Sequence, residues 1–160
     1  MAGVDLPTVG VVESKTIAGF MYNWIKDNCS LPTDFTFNFN LVSSNNSIGF
    51  FPEKSIGIYE RDVCGNYEAE FPFSIIVGVF ATDDTTRSKP FEIIDGIATK
   101  FDEVTAKLED LDLGYCINID STKQVLKFEM ISSPTLIRRG EDNSEDIQSI
   151  FKLYYKKEVH

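Results

Sequence analysis

The chain is poor in the residues that most enzymes use for acid–base and metal chemistry. It has one histidine among its 160 residues, and this histidine is the last residue, His160. A Ser-His-Asp or Cys-His arrangement therefore lacks a well-placed base, because a chain end frays by default. The cysteines Cys29, Cys64 and Cys116 have neither CxxC nor zinc-ligand spacing, so reduced thiols in a cytosolic protein are expected. We expect no catalytic group, no cofactor and no metal site, and hence no enzyme.

Basic residues and long hydrophobic runs are scarce as well. Fifteen Lys and Arg stand against 25 Asp and Glu, which gives a formal net charge of −10. This balance argues against a tightly bound nucleic acid, because phosphate binding needs a positive surface. No stretch approaches the roughly 18 consecutive apolar residues of a membrane span. The leading residues MAGVDLPTVGVVESK lack the basic and apolar regions of a signal peptide. A soluble protein without a membrane partner is expected.

Hydrophobic and aromatic residues, in contrast, are plentiful. Hydrophobic residues make up 42% of the chain and 13 residues are phenylalanine, which argues against disorder and favours packed sheet faces. The length suits one domain with a core of its own, and no linker or repeat divides the chain. We therefore predict a single domain over residues 1–160.

Two segments carry the period of an amphipathic helix. The first runs from about Glu13 to Asn28, and Trp24 on its stripe is either a core residue, the favoured interpretation, or an interface anchor. The second is expected to be opened by Pro90 after a polar loop at residues 82–89. The stripe residues of the first helix are Ile17, Phe20, Met21, Trp24 and Ile25; those of the second are Phe91, Ile94, Ala98, Phe101, Val104 or Thr105, and Leu108.

Alternating patterns predict strands before and after the second helix. The longest, residues 67–81, contains Pro72, which predicts a bulge or an edge position where a neighbouring subunit can pair. The order helix, three strands, helix, three strands predicts an α+β domain with one mainly antiparallel sheet and two helices packed on one face. The six predicted strands cover residues 35–41, 55–61, 67–81, 115–119, 125–132 and 147–156.

Three charged segments are candidates for binding a metal ion or a partner. Asp83-Asp84 and Glu109-Asp110-Asp112 are carboxylate groups of the kind that can bind Mg²⁺, but solvated carboxylates are the favoured interpretation. The segment IRRGEDNSED, residues 137–146, joins two adjacent arginines to four acidic residues. It is either a solvated hairpin tip or a loop that meets a partner.

Residues 49–103, GFFPEKSIGIYERDVCGNYEAEFPFSIIVGVFATDDTTRSKPFEIIDGIATKFDE, resemble the small minor capsid proteins of tailed phages and prophages of Gram-positive bacteria, which are related in fold to phage tail terminators. The resemblance extends from Ile17 to Glu103 and more loosely through the last strands, and the RRGEDNSED loop departs from it. The parts that carry it are Tyr59-Glu60-Arg61, Gly65-Asn66-Tyr67, Glu70-Phe71-Pro72-Phe73 and Ile94 to Phe101.

The resemblance implies a virion protein of the tail or neck that is assembled in the host cytoplasm. Such proteins form rings, typically hexameric, that cap the tail tube, stop its polymerisation and join the neck connector, while DNA passes through the lumen without specific binding. On this basis the expected partners are further copies of the chain, the tail tube protein and the neck proteins. The residues expected at interfaces are Glu60, Arg61, Phe71, Phe73, Arg138 and Arg139. Phe71 and Phe73 are expected to be partly core, with one side near the neighbouring subunit.

Two alternatives remain open. One is a head-to-tail stopper or neck protein, which is also a small ring at the same junction. The other belongs to a different class, a regulatory α+β domain that binds a small ligand in a pocket with convergent polar groups.

Overall fold

A computed structural model describes residues 6–43 and 45–159 of the chain. The described residues contain two helices and a mostly antiparallel sheet of seven strands, which confirms the α+β class. None of the described helices is long and apolar enough to cross a membrane. The elements are α1 (Val11–Asn28), β1 (Thr36–Phe39), β2 (Ser47–Pro52), β3 (Gly57–Arg61), β4 (Tyr67–Phe80), α2 (Asp84–Glu109), β5 (Lys123–Met130), β6 (Thr135–Arg139) and β7 (Ser144–Lys157).

The centre of the sheet is the antiparallel pair β4–β7. Its register runs without a break from Tyr67 opposite Lys157 to Phe80 opposite Ser144. β2 and β3 follow one another along the outer side of β4, and β5 and β6 do the same along β7. The two central strands are thus flanked by two interrupted strands, and β1 adds a short parallel strand beyond β2.

Pro72 lies in the interior of the central strand β4, where a proline normally removes a ladder hydrogen bond. β2 ends at Pro52, opposite Phe73, and β3 begins at Gly57, opposite Glu70. Pro72 therefore faces the gap between them, and its carbonyl accepts the backbone N–H of Glu53 at 3.0 Å. β4 is neither bulged nor an edge strand at Pro72, so the predicted bulge or edge position is wrong. The proline is tolerated because it faces a gap in which no ladder donor is required.

A short connection crosses the face of the sheet that is turned away from the helices. The crossing segment, Leu41–Ser43, is part of the link between the parallel strands β1 and β2. A Cβ on Gly49 would lie 2.6 Å from the Leu41 carbonyl oxygen, and one on Gly78 would overlap the Ser43 carbonyl oxygen. Both glycines are needed because the crossing backbone occupies the space of a side chain.

Both helices cover the opposite face of the sheet through a layer of aromatic rings. The Trp24 ring of α1 lies 4.8 Å from Phe128, and the Phe101 ring of α2 lies 4.7 Å from Phe128 and 5.3 Å from Phe151. Trp24 is buried, so its interpretation as a core residue is confirmed. The predicted stripes are confirmed except that Phe20 and Leu108 are half-buried and Phe91 is exposed.

The start of α2 differs from the prediction. The helix begins at Asp84, within the predicted polar loop, and Pro90 lies inside it. The Asp83 carboxylate accepts the Thr86 N–H at 2.8 Å, and the Thr86 hydroxyl accepts the Asp83 N–H at 3.0 Å. This capping box satisfies N–H groups that the first turn leaves free, so the helix begins six residues before the proline.

The start of α1 is tied to the ends of β4 and β7 by one carboxylate. Glu13 accepts hydrogen bonds from the Tyr67 hydroxyl at 2.6 Å and from the Tyr155 hydroxyl at 2.6 Å, and the Lys157 ammonium lies 3.5 Å away. Tyr155 is fully buried, so its hydroxyl depends on Glu13. Burial together with this hydrogen bond raises the pKa of Tyr155 far above its usual range.

Two strands were missed and one predicted strand is absent. The residue pattern predicts no strand at β2 or β6, although both pair with a central strand. Residues 115–119 form a single bridge, Asn118 with Gln124, in place of the predicted strand. The observed order is therefore helix, four strands, helix, three strands among the described residues.

Candidate interaction surfaces

Phe71 and Phe73, two of the predicted interface residues, lie in the core. Their rings pack against each other at 5.5 Å, and Phe73 packs on Phe151 at 5.6 Å. Both are essentially inaccessible, because β4 is a central strand and this face lies beneath the helices. The prediction that each ring turns one side to a neighbouring subunit is wrong for the folded chain, and the aromatic pattern reflects core packing.

Arg138 and Arg139 lie on strand β6, and not in the predicted loop. The Arg138 guanidinium donates to the Asp146 carboxylate at 2.8 Å, and that of Arg139 donates to the Glu145 carboxylate at 2.6 Å. The hydrogen bond to Asp146 raises the pKa of Arg138. Both arginines remain about half exposed beyond these ion pairs. Their charges are therefore largely balanced within the hairpin, while their outer surfaces stay accessible to a partner.

The β6–β7 turn explains why the arginines face these acids. The Gly140 N–H donates to the Ser144 carbonyl at 2.8 Å, and the Asn143 N–H donates to the Gly140 carbonyl at 3.2 Å. Asn143 has a φ of 68°, the left-handed conformation that ends a three-residue hairpin loop. The turn sets the register that places Arg138 opposite Asp146. The interpretation of this segment as a hairpin tip is thus confirmed for its four central residues.

Glu60 and Arg61 are exposed at the far end of β3. The Arg61 guanidinium lies 6.0 Å from the centre of the Tyr67 ring, and Arg61 pairs with Tyr67 in the ladder. A shallow groove beside them is also lined by Lys156 and Lys157, so both signs of charge meet there. Their placement at a subunit contact stays a prediction.

The two predicted charged pairs lie at opposite ends of the sheet. Arg61 is level with Tyr67, whereas Arg139 is level with Val79 through Glu145. Tyr67 and Val79 are twelve positions apart on β4, which corresponds to about 40 Å at roughly 3.3 Å per residue. The structure therefore does not bring the sequence-predicted residues into one site; it distributes them over two surfaces.

Four strands, β1, β3, β5 and β6, lie at the edges of the sheet; residues 7–9 pair with the start of β3, whereas no described strand pairs with the outer side of β1 or β6. β1 pairs only with β2, and β6 pairs only with β7, among the described strands. Every residue of β6 is exposed, including Leu136 and Ile137. A free edge presents unpaired N–H and C=O groups that pair readily with another strand. Sequence reasoning missed both edges, because neither β6 nor the topology is visible in the residue pattern.

The edge of β5, which lies beside β6, is closed by the chain itself. The Val125 N–H donates to the Ile117 carbonyl at 2.9 Å, and the Thr105 hydroxyl accepts the Phe128 N–H at 3.0 Å. The same hydroxyl donates to the Phe128 carbonyl at 3.3 Å. Residues of α2 and of the segment before β5 thus take the place of a neighbouring strand, and they stop short of β6.

A groove of about 330 Å³ lies between the end of α1 and the flank of α2. Lys89, Glu92, Lys100 and Glu103 stand around it, all on α2, and Cys29 lies at its base. Burial raises the pKa of the Cys29 thiol to about 12, with the nearby Lys100 opposing this shift. The thiol is therefore protonated and unreactive near neutral pH.

Among residues 6–43 and 45–159, no group of three or more His, Cys, Asp or Glu side chains is arranged to hold a metal ion. Asp83, one of the two carboxylates of the candidate Asp83-Asp84 pair, caps α2. His160 lies outside the described residues. The described part of the chain can offer surfaces for association and several open grooves, among them the one between α1 and α2.

No protein-family profile matches the chain, and a comparison with curated proteins finds no significant match. The likeness to phage minor capsid proteins therefore stays a prediction from the sequence of Ile17 to Glu103 and, more loosely, of the last strands.

Proposed function

We propose that the chain is a virion structural protein at the head–tail junction of a tailed phage, a tail terminator whose ring caps the tail tube and docks to the neck. The proposal starts from the resemblance of residues 49–103. The structural observation that favours it is the pair of free edges, β1 and β6, at opposite ends of one sheet. A subunit with two different open surfaces is suited to head-to-tail contacts, and these close into a ring when the rotation permits.

The charge of the chain fits a ring through which DNA slides. The net charge is −10, and the solvent face of α2 carries exposed carboxylates that include Glu92, Asp95, Asp102, Glu103 and Glu109. A wall of this sign repels the phosphate backbone and leaves DNA mobile. In this proposal the ring is a homo-hexamer, and its other partners are the tail tube protein and the neck proteins.

The test is electron microscopy of induced lysates from a strain that lacks the gene. Unjoined tails of uncontrolled length beside filled heads are the expected result, because nothing then stops the tube. Tails of normal length that fail to join heads support the stopper alternative. Normal intact particles refute both ring functions.

Arg138 and Arg139 are tested in the same strain by complementation. The double variant Arg138→Gln/Arg139→Gln keeps polar side chains, although shorter ones, and removes both charges, and a docking role predicts a large drop in joined particles. The matched control Lys26→Gln removes a charge from an exposed residue in the last turn of α1. Normal assembly with the double variant shows that the arginines serve the hairpin only.

A small-ligand regulatory domain is the alternative from another class, and the groove between α1 and α2 is the feature that favours it. Its charged residues lie on the exposed flank of α2 and do not converge on a buried point. The ring proposal is therefore preferred. A ligand that raises the melting temperature of the wild type, but not of Gly96→Phe in this groove, would favour the alternative.

A further inference from the structure

The loop after α2, residues 110–115, presents two leucine side chains to solvent. Leu111 is 92% exposed and Leu113 is 59% exposed. The Asp110 carboxylate accepts the Asp112 N–H at 3.1 Å, and the Asp110 carbonyl accepts the Leu113 N–H at 3.2 Å. Hydrogen bonds within the turn therefore hold both leucines at the surface, and an aspartate stands on either side of Leu111.

A groove with an apolar floor lies between the first turns of α1 and the segment that joins β2 to β3. We call it the α1 groove. Its volume is about 880 Å³, and the buried residues Ile56 and Phe71 are at its base. Val11 and Phe39 also line it and are 71% and 43% exposed. Apolar clefts of this size are suited to enclose a few apolar side chains of a partner.

Charge distinguishes the α1 groove from the other grooves of the described residues. Lys15 and Lys54 line it together with one acidic residue, Glu53, whose carboxylate accepts the Gln148 amide at 3.3 Å. Four other grooves carry either equal numbers of basic and acidic residues or an acidic excess. A segment that is both apolar and acidic is therefore complementary to the α1 groove and not to the others.

The loop and the groove of one chain lie on different flanks of the sheet. Phe39 of β1 and Pro52 of β2 line the groove, at one end of the strand order. The loop leads to Ile117, whose carbonyl accepts the Val125 N–H of β5 at the other end. A contact between this loop and the α1 groove therefore joins two copies of the chain.

We propose that the loop of one subunit docks into the α1 groove of the next, with its two leucines on the apolar floor and Asp112 near Lys15. This rests on the proposed function and deepens it by naming the contact that builds the ring. Burial of the leucines stabilises the contact, and the charges orient it. Because loop and groove are different surfaces, each subunit offers one of each, and addition continues until the ring closes.

The first test is self-association of the purified full chain, measured by sedimentation over a range of concentrations. Leu111→Ser/Leu113→Ser is expected to weaken association at least about tenfold. The matched control is Val63→Ser/Val159→Ser, since Val63 and Val159 are 103% and 50% exposed and line neither surface. An equal effect of both variants overturns the proposal. A wild type that stays monomeric also overturns it, and the tail tube protein is then the next occupant to test.

The second test identifies the two surfaces by charge reversal. Lys15→Glu and Asp112→Lys are each expected to weaken association about threefold or more at low salt. The double variant Lys15→Glu/Asp112→Lys restores an attractive pair, so its association is expected to return to within about twofold of wild type. Losses that add up in the double variant, or no loss in either single variant, overturn the proposal.

Failure of this contact is separable from failure of the proposed function. If Leu111→Ser/Leu113→Ser restores tail length and head joining in the deletion strain as well as wild type does, the contact is wrong and the terminator function stands. If deletion leaves particles normal while charge reversal still rescues association of the purified chain, the contact is right and the function is wrong.

Discussion

Glu13 is the residue whose removal is expected to reveal most about how α1 is held on the sheet. Its carboxylate accepts hydrogen bonds from the hydroxyls of Tyr67 and Tyr155, and its side chain is only 12% exposed. Glu13→Ala removes the sole acceptor of the Tyr155 hydroxyl among the described residues. Tyr155 cannot turn to solvent, because it is fully buried.

The magnitude follows from these contacts. A buried hydroxyl left without a partner costs about 1–3 kcal/mol, and a hydrogen bond to a charged group contributes about 1.5–3 kcal/mol. Water that enters the vacated space recovers part of this, so a loss of about 2–4 kcal/mol in the free energy of unfolding is expected. This is a large share of the roughly 5–15 kcal/mol that holds a domain folded.

Urea unfolding followed by tryptophan fluorescence measures this loss, because Trp24 is the only tryptophan and lies in the core beside α2. Glu158→Ala is the matched control: its carboxylate is 59% exposed and forms a surface ion pair with Lys156, so a change below about 1 kcal/mol is expected. If Glu13→Ala costs no more than this control, the reasoning about the buried hydroxyl is refuted.

Three further predictions concern the core, the crossing segment and pH, each measured by urea unfolding. Phe101→Ala is expected to cost about 3–5 kcal/mol, against less than about 1 kcal/mol for exposed Phe91→Ala, and equal losses would contradict the assigned packing. Gly78→Val is expected to destabilise by about 1–3 kcal/mol although valine favours strands, because its Cβ overlaps the crossing backbone; a stabilised variant would show that this backbone moves aside. Burial raises the pKa of Asp120, but hydrogen bonds from Lys123 and its neighbours outweigh it and lower the pKa to about 2. The stabilisation is therefore present above about pH 4 and is lost as the pH falls toward 2, so the cost of Asp120→Asn should shrink over that window; a cost independent of pH would refute this.

The elements that sequence could predict are those whose side chains alternate between a buried and an exposed side. α1 shows this through Met21 and Trp24, and β4 shows it from Ala69 to Phe73. In both, burial imposes the period of the element on the sequence. The class of the fold followed from these patterns and from their order along the chain.

β6 could not be predicted, because all its residues are exposed and no alternation marks it. It is a strand because the turn at Asn143 folds it onto β7. β2 was hidden for another reason: its residues Ser47 to Phe50 are all buried or covered by the crossing segment, so they do not alternate either. Pairing with β4 makes β2 a strand, and pairing with β7 makes β6 a strand.

The interface prediction for Phe71 and Phe73 failed for a related reason. A run of aromatic residues marks a buried face equally well in a core and in a subunit contact, and only the topology says which. Here β4 lies between β2 and β7, so the run belongs to the core. Of the two free edges, β1 has two phenylalanines and β6 has no aromatic residue, so aromatic content does not mark an edge.

The contrast between β5 and β6 bears on whether the free edge is functional. Both strands flank β7, yet β5 is closed by the Thr105 hydroxyl and by Ile117, while β6 beside it is left open. Natural proteins blunt edges that would otherwise recruit other chains. β6 has devices of its own: it is only five residues long, carries Arg138 and Arg139, and has a bulge between Leu136 and Arg138. The two strands are therefore protected from unspecific pairing in different ways, β5 by other parts of the chain and β6 by its length, charge and bulge.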